Sequence, residues 1–227
     1  MCSSDLEHQR LWNHAFIVGS TLATLAQGWM LGRFITGFAE GLWPTLFAGL
    51  IALCLLAAYG LLGAGWLIYK TEGALQAKAV GWAKQAWPAM VLGIVLISVA
   101  TPWISPSVRS RWFAMPDFIA LLPIPLLTAL ALLLARTVLN SSLVVSRFQL
   151  VPFLGTALAL VLSAFGLAYS LYPYVVMDQL TVWQAASAPE SLKVIGLGAA
   201  ITVPAILGYT VFTYRVFRGK ASTLSYG

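Results

Sequence analysis

Few side chains in this sequence could do chemistry unaided. Axial ligation of a haem draws on His, Met or Cys, and the chain has 2 Cys and 2 His, with 5 Met. His8 and His14 both precede the first apolar run, and His14 stands at its mouth as an interfacial residue. Met30, Met90 and Met177 lie in or near apolar runs with no histidine to match them; a thioether in that setting is ordinary core filler. Cys2 and Cys54 give neither a disulfide framework nor a zinc spacing. No Ser-His-Asp set, phosphate-binding loop or paired carboxylates can be read. Asp178 and Glu190 fall in one loop, where they read as solvated or capping residues. The sequence therefore offers no catalytic, metal or cofactor-binding residue of its own.

The elements that would position a site are more legible. Of 227 residues, only 9% are charged and 60% are apolar, against roughly 25% charged in soluble domains. Mean hydropathy is +0.87. This excludes a soluble globular domain, a disordered chain and a nucleic-acid binder. The apolar runs cover residues 15–32, 42–69, 87–103, 118–135, 150–177 and 194–214. None alternates with the period of a strand, and lipid demands that backbone groups be satisfied internally. The expected fold is all-α: one polytopic transmembrane helix bundle of six spans, occupying residues 7–227.

Six spans sort the loops onto two sides. One side collects Arg10, Lys70, Lys78, Lys84, Arg136, Arg147, Arg215, Arg218 and Lys220; the other collects Arg33, Arg109, Arg111 and Lys193. Basic loops stay in the cytoplasm, so both termini are expected there. Trp43, Trp66, Trp82, Trp87, Trp103, Trp112 and Trp183 lie near span ends, as do Tyr69, Tyr172 and Tyr174, and read mainly as interfacial anchors.

Local signals refine this map. Ser187-Ala-Pro-Glu190 reads as a capping box ahead of the last span. Residues 71–85 are polar on one face and are expected to continue the second span as a cytoplasmic helix. Pro123 and Pro125 in the fourth span, and Pro204 in the sixth, are expected to kink their helices. Gly60, Gly63 and Gly65, with Gly196, Gly198 and Ala199, permit close helix approach, either to a partner or within the chain.

Intramembrane ionisable residues mark ion paths and proton relays. The interiors of the six runs hold none, and Gln27 is their only carboxamide. That disfavours a secondary transporter, the main rival reading. A non-catalytic membrane scaffold is the other.

Three segments carry a resemblance. The tail reads Pro204-Ala-Ile-Leu-Gly-Tyr209-Thr-Val-Phe-Thr-Tyr214-Arg-Val-Phe-Arg218-Gly219-Lys220. The second run is followed by Lys70-Thr71-Glu72-Gly73 and then Gln76-Ala-Lys78. The fifth is followed by Tyr172-Pro173-Tyr174 and, further on, Trp183. In this order, at three span ends, they resemble subunit II of the cytochrome bd-type quinol oxidases, including the cyanide-insensitive branch. The resemblance implies a subunit of a membrane quinol:oxygen oxidoreductase in the bacterial inner membrane, not catalytic alone. It places haem b and haem d in a partner, the haem-bearing subunit I. This chain would shield that partner from lipid and is a candidate to hold a structural quinone; no nucleic acid is involved. The motif positions themselves carry no assigned role.

The resemblance starts near residue 8. The family has two further spans ahead of that point, and its proton-route acids would fall in them. Residues 1–6 back-translate to a string like a sequencing-adapter end, so they are expected to be foreign to the gene, fused to a truncated reading frame. Without its two packing helices the chain is expected to be unstable alone.

Overall fold

The computed structural model describes residues 3–115, 117–217 and 219–220. Its elements are α1 (Ser3–Ile35), α2 (Leu42–Lys70), α3 (Gly73–Ile104), α4 (Pro106–Trp112), α5 (Asp117–Leu121), α6 (Pro123–Asn140), α7 (Val151–Leu171), β1 (Tyr174–Val176), β2 (Leu180–Thr181), α8 (Val182–Ala185) and α9 (Pro189–Val216). Six of the helices, α1, α2, α3, α6, α7 and α9, are long and apolar enough to cross a membrane. The all-α, six-span architecture is thus present.

Several boundaries differ from expectation. The polar stretch 71–85 belongs to α3, not to an extended second span, because α2 stops at Lys70 and the chain turns at Gly73. The third span is therefore 73–104 rather than 87–103. The fourth begins at Pro123 and ends at Asn140, instead of covering 118–135. Pro123 and Pro125 sit in the first turn of α6 and kink nothing. A proline lacks a backbone donor, so it opens a helix more easily than it sits inside one. Among the described residues, Pro88, Pro102 and Pro204 lie inside helices beyond the first turn. The fifth span ends at Leu171, and residues 174–181 form a short antiparallel hairpin instead of more helix. The capping box at Ser187–Glu190 is not made: Pro189 opens α9, which puts Ala188 at the cap, without a side-chain bond. A capping box forms instead between Thr181 and Gln184, ahead of α8.

Helix pairs α1/α2, α2/α3 and α6/α7 pack antiparallel, and α2 also meets α7. The seams use small residues, as expected where apolar surface gains nothing by leaving lipid. Gly28 and Gly32 face Ala52 and Ala48, and Gly65 faces the backbone of Phe153. The shared core holds Ala58, Leu61, Ala64, Ile68, Ala79, Ala83, Met90, Leu132, Leu139, Val144 and Ala159. In contrast, α9 has no buried residue.

Pro88 removes the N–H that would take the Lys84 carbonyl four residues earlier. Arg136 of α6 supplies a substitute: its guanidinium donates to Lys84 O at 3.3 Å and lies 5.1 Å from the centre of the Trp87 ring. Trp87 in turn donates its indole N–H to Leu132 O at 3.0 Å. A helix defect in α3 is thus repaired by α6, and the two are tied together.

The small residues divide on inspection. A Cβ on Gly65 would meet Phe153 backbone atoms at 2.9 Å, whereas one on Gly60, Gly63, Gly196 or Gly198 would meet nothing within 4 Å. Gly65→Val should therefore lower stability by about 1–3 kcal/mol, the usual range for overpacking, while Gly60→Ala meets no atom of this chain and should leave its internal packing unchanged. Thermal unfolding of the purified complex in detergent checks Gly65→Val.

Candidate functional site

The structure brings the first and last motifs together at one end of the bundle. Lys70 ends α2, and its ammonium donates to Phe217 O at 3.1 Å and Gly219 O at 3.0 Å. These carbonyls follow the last turn of α9, which has no further intrahelical donors to offer. A cation there also meets the negative end of the helix dipole. Lys70 lies 5.4 Å and 5.5 Å from the ring centres of Trp66 and Tyr69. Trp66 stands edge-on to Tyr214 of α9, with ring centres 5.6 Å apart. Glu72 pairs with Lys220 at 3.1 Å.

Each residue of Lys70-Thr71-Glu72-Gly73 has a local reason. Thr71 returns its hydroxyl to Leu67 O at 2.7 Å and its N–H to the same carbonyl at 2.9 Å, closing α2. Gly73 has φ +65°, a conformation that favours glycine. The buried Gln76 reaches back to Ile68 O at 2.8 Å. Arg218 lies outside the described residues.

The third motif is at the opposite end. Tyr172 and Trp183 stack edge-on with ring centres 5.9 Å apart, and Pro173 O accepts from Val182 N at 2.9 Å. The hairpin between them is fastened to two other loops. Ser105 donates to Asp178 Oδ2 at 2.7 Å, and Gln179 donates to Gly37 O. Arg33 holds the loop after α1 through Ala39 O at 2.8 Å and Phe38 O at 2.9 Å. Pro204 and Tyr209 lie apart from both clusters, on the exposed length of α9. Sequence reading missed Ser105, Asp178, Gln179 and Arg136 as partners. Ser105-Pro106 did carry a signal, since serine before proline is a common helix start; Ser105 indeed accepts from Val108 N at 3.4 Å.

Between α2, α3, α6 and α7 lies an apolar chamber of about 700 Å³. Its floor is Ala58, Met90, Leu132 and Leu160; its roof is Trp112, Phe113, Phe118, Leu121 and Leu122 from the 105–122 segment. Trp112 ties this roof to α7 by donating its indole N–H to Ser170 Oγ at 2.9 Å. The lining fits an isoprenoid or acyl tail. Met90 and Cys54 line the chamber. Among the described residues, no three His, Cys, Asp or Glu lie close enough to hold a metal ion.

These features define a class: a multi-pass α-helical membrane protein with ion-pair and charged contacts toward the helix ends and an apolar chamber among its spans. A family model described as cytochrome bd terminal oxidase subunit II matches residues 3–217, and the chain belongs to that family. It is thus a subunit of a membrane oxidase, part of an oxidoreductase complex. A comparison with curated proteins gives no match.

Lys70→Met should weaken docking of α9 by about 1.5–3 kcal/mol, the range for hydrogen bonds to a charged group. Glu72→Gln should cost under about 1 kcal/mol, because exposed ion pairs contribute little. The yield of a disulfide between Glu72→Cys and Lys220→Cys, with and without Lys70→Met, reports the docking; an undiminished yield would show that Lys70 is not the anchor.

Proposed function

We propose that this chain is the non-haem-ligating subunit of a quinol:oxygen oxidoreductase, supporting a haem-bearing subunit I in the oxidation of quinol and the reduction of oxygen to water. The observation that carries this reading is the family match over residues 3–217. In this reading haem b and haem d reside in the partner. The role of this chain is then mechanical: it covers the partner's flank and keeps lipid from its cofactors. Gly60, Gly63, Gly196 and Gly198, which meet nothing in this chain, suit close approach by helices of that partner.

The chamber is our candidate for the structural quinone. Its apolar lining would hold the isoprenoid tail, and Ser163, whose buried Oγ has no hydrogen-bond partner, would offer a polar contact. The quinone supplies redox-active carbonyls when bound; this chain's own part is to bind and orient it and to exclude water. The excess of cations around Lys70, Arg136 and Lys220 supports a cytoplasmic placing of that end, with both termini inside, in a bacterial inner membrane.

The intact complex, purified gently from native membranes through a tag on this subunit, should show haem b and haem d bands in a reduced-minus-oxidised spectrum, with a larger subunit co-purifying. A haem-free preparation without that partner would overturn the reading in favour of a transporter or an unrelated scaffold.

A further inference from the structure

Arg136 repairs the helix defect at Pro88 with only part of its chemistry. Its contact with Lys84 O is exposed, and a guanidinium carries about five N–H donors, so its charge and further donors are left over. Lys84 is itself exposed. Because the guanidinium reaches the Lys84 backbone, two cations leave the surface at one place, between α3 and α6. Among the described residues, neither has a carboxylate within ion-pair distance; Glu72 is paired with Lys220 instead. Like charges this close repel, and at the rim of hydrocarbon they are screened less than in open water. The pair therefore favours an anion from outside this chain.

The height of the pair selects the anion. From Lys84 to Ile104, α3 rises about 30 Å, the thickness of a bilayer's hydrocarbon core. Trp82 stands at one end of that stretch and Trp103 at the other, both exposed, and tryptophan favours the headgroup level on either face. Lys84 and Arg136 thus sit at the level of the lipid phosphates. Trp87 lies 5.1 Å from the guanidinium and is fixed by its own bond to Leu132 O, so the Arg136 fork is oriented in advance. Such a fork matches the oxygens of a phosphate. Toward the bilayer centre the surface turns apolar and open. Leu133, one turn before Arg136, is 57% exposed, and Val95, three turns after Lys84, is 51% exposed; each shares a face with its cation. Acyl chains need such a wall, whereas a free phosphate does not.

We propose that Lys84 and Arg136 together bind the phosphate of one anionic membrane phospholipid, whose acyl chains lie along the groove between α3 and α6 past Val95 and Leu133. Arg136 holds the phosphate oxygens, and Lys84 supplies the second charge. The lipid neutralises the pair and adds a contact between the two helices that Trp87 and Arg136 already join.

The full-length complex, stripped of lipid in mild detergent, tests this by native mass spectrometry. Titrated with dioleoylphosphatidylglycerol, the parent should bind one molecule several-fold more tightly than dioleoylphosphatidylcholine. Lys84→Gln, which leaves the backbone carbonyl for Arg136, should weaken that binding about fivefold, the effect of one juxtamembrane cation. Arg136→Gln should weaken it further. Lys78→Gln removes the same charge from the same helix, about 9 Å further from the bilayer centre, and should leave it unchanged. An equal fall with Lys78→Gln would show diffuse attraction and overturn the site. Unchanged affinity in Lys84→Gln would overturn it too, whether or not Arg136→Gln folds. Equal binding of the two lipids would overturn the choice of an anionic headgroup. Displacement by millimolar inorganic phosphate would overturn the lipid in favour of a free anion. A parent with no tight lipid would assign the pair to a carboxylate of the partner subunit and overturn the proposal.

Discussion

Lipid offers a peptide backbone no hydrogen bonds, so wherever a helix stops or loses a donor the chain must satisfy itself. Most of the polar side chains in this protein can be understood from that constraint. Thr71 closes α2, Gln76 returns to the Ile68 carbonyl, and Arg33 takes the carbonyls of the loop after α1. Lys70 serves the end of a helix that is distant in sequence. Arg136 serves a carbonyl that a proline left without its usual donor. Because these groups serve termini and defects, the middle of the bundle can dispense with ionisable residues. The same contacts join helices that apolar packing alone would leave indifferent to one another, since hydrocarbon side chains gain little by exchanging lipid for protein.

The chamber follows from where the seams are tight. Gly65 brings α2 against α7, and a Cβ on Gly155 would meet the Ala131 carbonyl at 2.8 Å, so α6 and α7 are equally close. Around these contacts the core is built of Ala and Leu with few larger groups. Toward the hairpin end, short helices rather than a span close the gap. The resulting space is apolar because its walls are lipid-facing sequence turned inward. Its few hydroxyls gather where the roof itself needs polar fastening.

The fold was legible to the extent that hydropathy determines it. Six spans and the division of cations between two ends could be read directly, because apolar length and loop charge are one-dimensional properties. Helix boundaries were less so. The stretch 71–85 looks like an extension of either neighbour until Gly73 is seen to be in the left-handed region, and a proline at position 123 or 125 reads equally well as a kink or as a start. The candidate site was legible only as separate fragments. Nothing in the spacing of Lys70-Thr71-Glu72 and Phe217-Arg-Gly-Lys220 says that they meet, since the meeting depends on how α9 returns to the end of α2. The Arg136 contact was within reach, because Pro88 inside a helix implies an orphan carbonyl at Lys84, though which neighbour would supply the donor was not.

The last helix shows what this economy makes possible. α9 buries no residue and is 28 residues long, yet it is fixed at one end by an ammonium, an ion pair and an aromatic edge contact. In water such a helix would collapse onto the bundle to hide its apolar surface. In lipid that drive is absent, and a polar clamp at the terminus suffices to hold the helix against its neighbour. Its flank, with Gly196, Gly198 and Gly208 open, stays available to another helix that can approach closely. Such a helix combines an end fastened by hydrogen bonds with sides left free to pack against whichever surface offers better van der Waals contact than lipid does.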